Sequence, residues 1–350
     1  MKKSTMIVLI VAACMVVLGA LLAGTAYAIS GGNIGIYWNN SSGWYHGNSY
    51  SDDGRVTAQT VDTGAFTSID ADVDFAEVRL IRSDRNYVEY AFAINQPKPI
   101  CTVSAGGTLQ FQQRQHDNRS VFSFFDGIPF GSRGQSYVYI YYRAEQLDFV
   151  TVKTSAGDVQ LKDLAVKDTL NLEIDFGKLT VSNVSAANIN AEVSSGDSRF
   201  TDITADGLVF DSDFGKVTFE NITTRNFQSN TSSGDTTVLN CRLGNAEFDS
   251  DFGRITAEHT TAEGLRVNCD SGDISFSGTF TGITDIDSDF GKVSLSTDVP
   301  REQYSIALST DFGSIHVNNE KFTGSVNQNS GAPNSITIQN GGGSIAVNFQ

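Results

Sequence analysis

From residue 150 onward, apolar residues come in pairs spaced two apart, and the pairs recur at a fixed interval. Aligned on Gly157, Gly177, Gly196, Gly215, Gly234, Gly253, Gly272, Gly291, Gly313 and Gly343, the intervals are 20, then 19 six times, then 22 and 30. Two residues past the glycines stand Val159, Leu179, Val217, Ile255, Ile274 and Val293, with Ser198 and Thr236 in the same column. Four residues past stand Leu161, Val181, Phe200, Phe219, Val238, Ala257, Phe276 and Leu295. Side chains two apart share one face of a strand, so each pair predicts a short strand with that face inward. A second pair follows 12 and 14 residues past the glycine, at Leu208/Phe210, Ala246/Phe248 and Leu265/Val267. Between the two, "TADG" (204–207) and "TAEG" (261–264) predict a second turn. A unit this short buries its apolar face only by stacking on its neighbours. The expected fold is therefore all-β, a single-stranded parallel β-helix with 19 residues per coil.

Stacking places like positions of successive coils about 5 Å apart, so columns carry information as well as rows. The column after the glycine reads Asp158, Lys178, Asp197, Lys216, Asp235, Arg254, Asp273, Lys292. Eight stacked aspartates would repel, whereas alternation spaces like charges roughly 10 Å apart, near the screening length. The alternation is expected to hold coils in register. Before the glycine, Phe176, Phe214, Phe252 and Phe290 alternate with Ala156, Ser195, Ser233 and Ser271. Large over small is expected to fill a tight corner, with two coils as the unit.

The periodic pattern does not cover the whole chain. Lys2 and Lys3 precede an uncharged run from Met6 to Ile29, long enough to cross a bilayer as one transmembrane helix. Residues 1–30 are expected to be a membrane anchor with the rest of the chain outside; the alternative is secretion after cleavage near Ala28, at the "AYA" of 26–28. A lipoprotein reading through Cys14 fits less well, because apolar sequence continues after it. Residues 31–55, rich in Gly, Asn, Ser and aromatics, are expected to be a spacer. Residues 56–150 hold a degenerate first coil, "VDFAEVRL" (73–80), with Ala76 in the glycine position. There, "YVEYAFAI", "GGTLQFQQ" and "SYVYIYY" are expected to form β-hairpins that cap the N-terminal end. The apolar stretch "SVFSFFDGIPFG" (120–131) would plug the first coil or meet a partner. Residues 151–350 are the solenoid, closing on irregular coils through "NGGGSIAVNF".

A net charge of −16 with 24 Lys and Arg excludes nucleic acid as a natural partner. Cys101, Cys241 and Cys269 form no CxxC or Cys/His cluster, and Cys241 and Cys269 are expected to be small buried residues. His46, His116, His259 and His316 are scattered. Asp270 with Asp273, or Asp287 with Asp289, has oxygens for calcium. A cation beside every DFG turn opposes that, so the metal question stays open. A glycosidase needs two carboxyls placed across a cleft, whereas the acids here occupy repeat positions as if each did one job. No catalytic residue and no cofactor is assigned.

The strand "YVYIYY" (137–142), the segment "VTVKTSAGDVQL" (150–161) and the serial SGD and DFG turns resemble the bacterial putative-adhesin family, the DUF4097 domain, over residues 66–350. The resemblance implies a pectin-lyase-like β-helix without established catalytic residues, acting in adhesion or at the cell envelope, sometimes beside envelope-stress systems. The expected function is a non-enzymatic adhesion or scaffold module meeting an envelope glycan or envelope protein, with the membrane reached through the N-terminal helix. The alternative is a carbohydrate-active enzyme or glycan-binding protein.

Overall fold

A computed structural model describes residues 36–39, 43–46, 56–93, 97–114 and 136–350. The expected anchor, residues 1–30, and the apolar stretch 120–131 lie outside these residues. Among the described residues no helix is long and apolar enough to cross a membrane. The chain divides into two compact units. In the unit of residues 1–53 and 118–131, Ile36–Asn39 and Gly43–His46 pair antiparallel, so the expected spacer contains a hairpin.

In the second unit, successive coils pair in parallel and in register. Leu179–Ser195 runs beside Ser198–Phe214, which runs beside Val217–Ser233, each residue facing its counterpart 19 positions on. The predicted inward columns are buried throughout, from Val159 and Leu161 to Val293 and Leu295. Aromatic rings link the coils through this core: Phe200 stacks on Phe219 at 5.3 Å, Phe219 meets Phe227 edge-on at 4.9 Å, and Phe227, Phe248 and Phe276 continue the line.

The first corner is the glycine column, and close approach explains its composition. A Cβ on Gly234 would stand 1.8 Å from the carbonyl oxygen of Gly215, and φ there is 144°. The turn expected at "TADG" is present, since the register skips Asp206 and the alternation of buried and exposed residues changes phase there, but another corner precedes it. Within Ser198–Phe214 this second corner falls at Asp202, in the left-handed region at φ 57°. Asp163, Asn183, Asn221, Asn240 and His259 take the same conformation in their own coils. Asp and Asn tolerate it better than other side chains, and a short polar chain can also bond its stacked neighbour. Asn183 donates to Asp163 at 2.7 Å and Asn221 to Asp202 at 2.8 Å.

Both ends of the solenoid depart from chain order. The coil of Ser68–Phe75 and Glu77–Arg82 lies against Val150–Ala156 and Val159–Ala165, as a coil should. Its other side, however, is covered in parallel by Thr108–Gln113 and Tyr137–Tyr142. Two of the expected capping-hairpin strands are thus the outermost coil, and "VDFAEVRL" is the second. Alternation alone cannot separate the two roles, because a coil strand and a hairpin strand share a period of two. True antiparallel capping comes from Val56–Asp62, Tyr87–Ala93 and Ile100–Val103. At the other end the last coil, Asn334–Gly342 and Ile345–Phe349, is inserted between Ile283–Phe290 with Val293–Thr297 and Tyr304–Phe312 with Ile315–Val317. Glu320–Phe322 and Ser325–Gln328 then pair antiparallel on the outermost coil.

Candidate functional site

The glycine corner ends eleven strands, and the residue before it forms a row along the solenoid. In spatial order the row runs Phe75, Ala156, Phe176, Ser195, Phe214, Ser233, Phe252, Ser271, Phe290, Gly342, Phe312. The large–small alternation survives the out-of-order coil, since Gly342 separates Phe290 from Phe312. The alternation therefore belongs to the stack in space, and the sequence interval merely echoes it over the regular coils.

The phenylalanines do not fill a corner, as was expected of them. Phe176 is 49% exposed, Phe214 61%, Phe252 62%, Phe290 64% and Phe312 80%. Strand alternation would carry Phe214 inward after the buried Phe210 and Ser212, but the strand ends in the glycine corner, and Asp213 and Phe214 both face out. A repeated exposed aromatic ring costs solubility, and such an array marks a contact surface.

The charged column also works differently from a chain of ion pairs. The Asp158, Asp197, Asp235 and Asp273 carboxylates accept the backbone N–H of Lys178, Lys216, Arg254 and Lys292 on the next coil, at 2.9 to 3.1 Å. Each SGD turn thus caps the following DFG turn. Among the described residues, cross-coil ion pairs lie on the flanks, as between Lys153 and Glu173 at 2.6 Å, or Arg199 and Glu220. The column's cationic side chains project from the corner without such a pair.

Two open grooves accompany the row. One, of about 580 Å³, passes over Gly207, Asn226, Asn245 and Gly264 and is edged by Gln228, Glu247 and Arg266. Its amides form a ladder, with Asn245 donating to Asn226 at 3.4 Å. The other, of about 280 Å³, lies beside the phenylalanines and holds Asp211, Asp213, Asp249 and Asp251. Asp211 accepts from Asn230 at 2.6 Å. Of the calcium candidates, Asp273 is engaged by the Lys292 N–H, and no three His, Cys, Asp or Glu side chains converge among the described residues. Cys241 and Cys269 are buried, and Cys101 is half-buried. Burial pushes the Cys241 thiol up to about 11, against weaker hydrogen bonds from backbone groups that favour the thiolate. A protonated buried thiol is a poor nucleophile. His259 serves the second corner, and His316 lies 3.4 Å from the Ser314 hydroxyl.

Sequence reasoning found the glycine corner and the alternation, but missed the left-handed Asp/Asn column. Its signal was present in Asp202, Asn221 and Asn240, which keep the 19-residue interval.

Solved structures with a related trace include an adhesin candidate from Bacteroides fragilis, 13% identical over 85% of this chain and 99% of its own, with a TM-score of 0.39. Another, from Parabacteroides distasonis, is 15% identical over 68% of this chain and 98% of its own, at 0.37. At such scores they add nothing to the fold described above. No curated protein is a significant sequence match. The Toastrack DUF4097 family model matches residues 66–203 and again 187–348, nearly the whole solenoid with its N-terminal cap. The chain belongs to the DUF4097 (Toastrack) family.

Proposed function

We propose that the chain is a non-enzymatic binding module of the adhesin kind, tied to the membrane by residues 6–29 and exposed outside it. Its polar flank takes a glycan of the cell envelope. The supporting observation is the groove over Gly207, Asn226, Asn245 and Gly264, one column in which two amides stand at coil spacing between two glycines. Stacked amides offer a donor and an acceptor at each step, which suits the hydroxyls of successive sugars. Identical groups repeated along a stack favour holding a polymer over a single turnover. A scaffold role beside an envelope-stress system is compatible with the same surface.

A second reading, a carbohydrate-active enzyme, draws on Asp211, Asp213, Asp249 and Asp251. Carboxyls two coils apart stand roughly 10 Å from one another, at the upper end of the separation used by inverting glycosidases. A glycan array and a turnover assay on the full chain separate the two. Binding that falls at least tenfold in Asn226→Ala/Asn245→Ala, without product release, supports the module. Product from any polysaccharide, lost in Asp213→Asn or Asp251→Asn, would overturn it.

A further inference from the structure

The exposed phenylalanine row leaves one pattern that neither glycan reading uses. Two columns alternate in phase. From Phe176 to Phe290, coils that carry a phenylalanine at the corner carry a cation two residues on, as in Phe214 with Lys216 and Phe290 with Lys292, whereas Glu77 and Ser314 follow Phe75 and Phe312. Coils that carry a serine there carry an aspartate two residues on, as in Ser195 with Asp197 and Ser233 with Asp235. Each phenylalanine projects beside a gap one coil wide, and the gaps at Ser195, Ser233 and Ser271 are bordered by the opposite charge.

Such an edge is complementary to itself. We propose that the row is a homodimer interface, in which a second copy lies antiparallel and one coil out of step, so that the rings of each copy enter the gaps of the other. A two-fold axis across the solenoid keeps the charged column of one copy opposite that of its partner. Displacement by one coil then sets Lys216, Arg254 and Lys292 against Asp273, Asp235 and Asp197, and Phe176, Phe214, Phe252 and Phe290 against Gly342, Ser271, Ser233 and Ser195. The unshifted antiparallel register would set ring on ring, cation on cation and aspartate on aspartate. A parallel pairing also meets ring on ring. Large–small and charge alternation therefore select one arrangement, and the contact is isologous, as a closed dimer requires.

The dimensions suffice for a modest affinity. From Phe176 to Phe312 the row takes eight steps of about 4.8 Å and is about four residues wide, covering roughly 500 Å² on each copy. The total, roughly 1,000 Å², meets the lower bound for a specific contact. Five half- to largely exposed rings supply its apolar centre. A contact of this size falls among weak, transient interfaces, and a dissociation constant in the micromolar range is expected. The inference stands apart from the glycan groove, which lies on the flank.

The test is the mass of the full chain as the cell processes it, in nanodiscs if it partitions into membrane, followed by light scattering from about 1 to 100 µM. The wild type is expected to double in mass across that range and to revert as salt is raised. Phe214→Ser/Phe252→Ser/Phe290→Ser should stay monomeric with an unchanged circular-dichroism spectrum, because these side chains contribute little to the core. Ser195→Phe/Ser233→Phe/Ser271→Phe adds apolar surface but fills the gaps, and should weaken the dimer at least tenfold. A wild type monomeric at the highest concentration would overturn the proposal. So would a gap-filled variant that associates as well as wild type, which would mean unspecific stickiness. A monomer retained on a β-1,4-glucan through its phenylalanines would reassign the row to glycan.

Discussion

At the scale of single residues, the glycines of the first corner are the most constrained positions. Gly234 sits at φ 144°, and its missing Cβ is what lets the Gly215 carbonyl approach. Gly234→Ala meets backbone that cannot rotate away, and should cost about 3 kcal/mol in denaturant unfolding. Gly324, with open space around its Cβ position, should respond far less, limited to the strain of its φ of 77°. Buried titrating groups add a pH dependence. Burial holds the Cys241 and Cys101 thiols at about 11, and donation to Glu89 at 2.8 Å holds the Tyr137 hydroxyl at about 12. These folded-state values lie above those of the unfolded chain, so the native state favours the proton. For the thiols that stabilisation is full below about pH 8.5 and lost as pH climbs to about 11, and for Tyr137 it is full below about pH 10 and lost towards about 12. Thermal melts should therefore fall over that alkaline window, and Cys241→Ala should flatten part of the decline.

At the scale of a coil, the corner pair SGD and DFG acts as one device. A carboxylate from the first accepts a backbone N–H from the second, and the cation beside that N–H lowers the cost of gathering acids. Lys216→Gln keeps the donor and should change stability by less than about 0.5 kcal/mol. Lys216→Asp lines up three carboxylates, Asp197, the new one and Asp235, and should cost about 1 kcal/mol more than the same change at Lys321. Equal costs at the two lysines, read from urea midpoints, would refute a register role. Asp197→Ala leaves the Lys216 N–H without its acceptor and should cost about 1 kcal/mol. The Asp and Asn residues of the second corner form a comparable ladder on another edge, which is why two corners of each coil stay aligned with so few ion pairs.

At the scale of the solenoid unit, each end is locked by a coil out of chain order. Residues 334–349 place Ile336, Ile338, Ile345 and Val347 between two coils that precede them in sequence, with all four fully buried. Ending the chain at residue 333 would open a gap inside the stack, where removing an ordinary last coil would only shorten it. Hydrogen exchange at 304–317 should then rise to that of unfolded chain, while 179–233 keeps its protection. Retained protection at 304–317 would show that the coils can close over the gap. The insertion also explains the irregular intervals of 22 and 30 residues before the last two glycines, which include the excursion to the outermost coil and back.

The strand-forming positions, the inward face, the glycine corner and the two-coil rhythm were legible because each rests on local alternation and a repeat interval. Phe200, Phe219 and Phe276 announce the core in the same way as Val159 and Ile255. Two things were not legible. One was which coil lies beside which at the ends, because parallel pairing across tens of residues leaves no local mark: "TLQFQQ" suits a hairpin and a coil equally. The other was the fate of the phenylalanines before the glycines, where alternation by itself turns Phe214 inward with Phe210. Only the folded corner, with its left-handed glycine, leaves that ring in solvent. Sequence periodicity thus determined the solenoid and its family resemblance. The tertiary structure decided its order at both ends and exposed the row, because both depend on contacts between coils and not on the pattern within one.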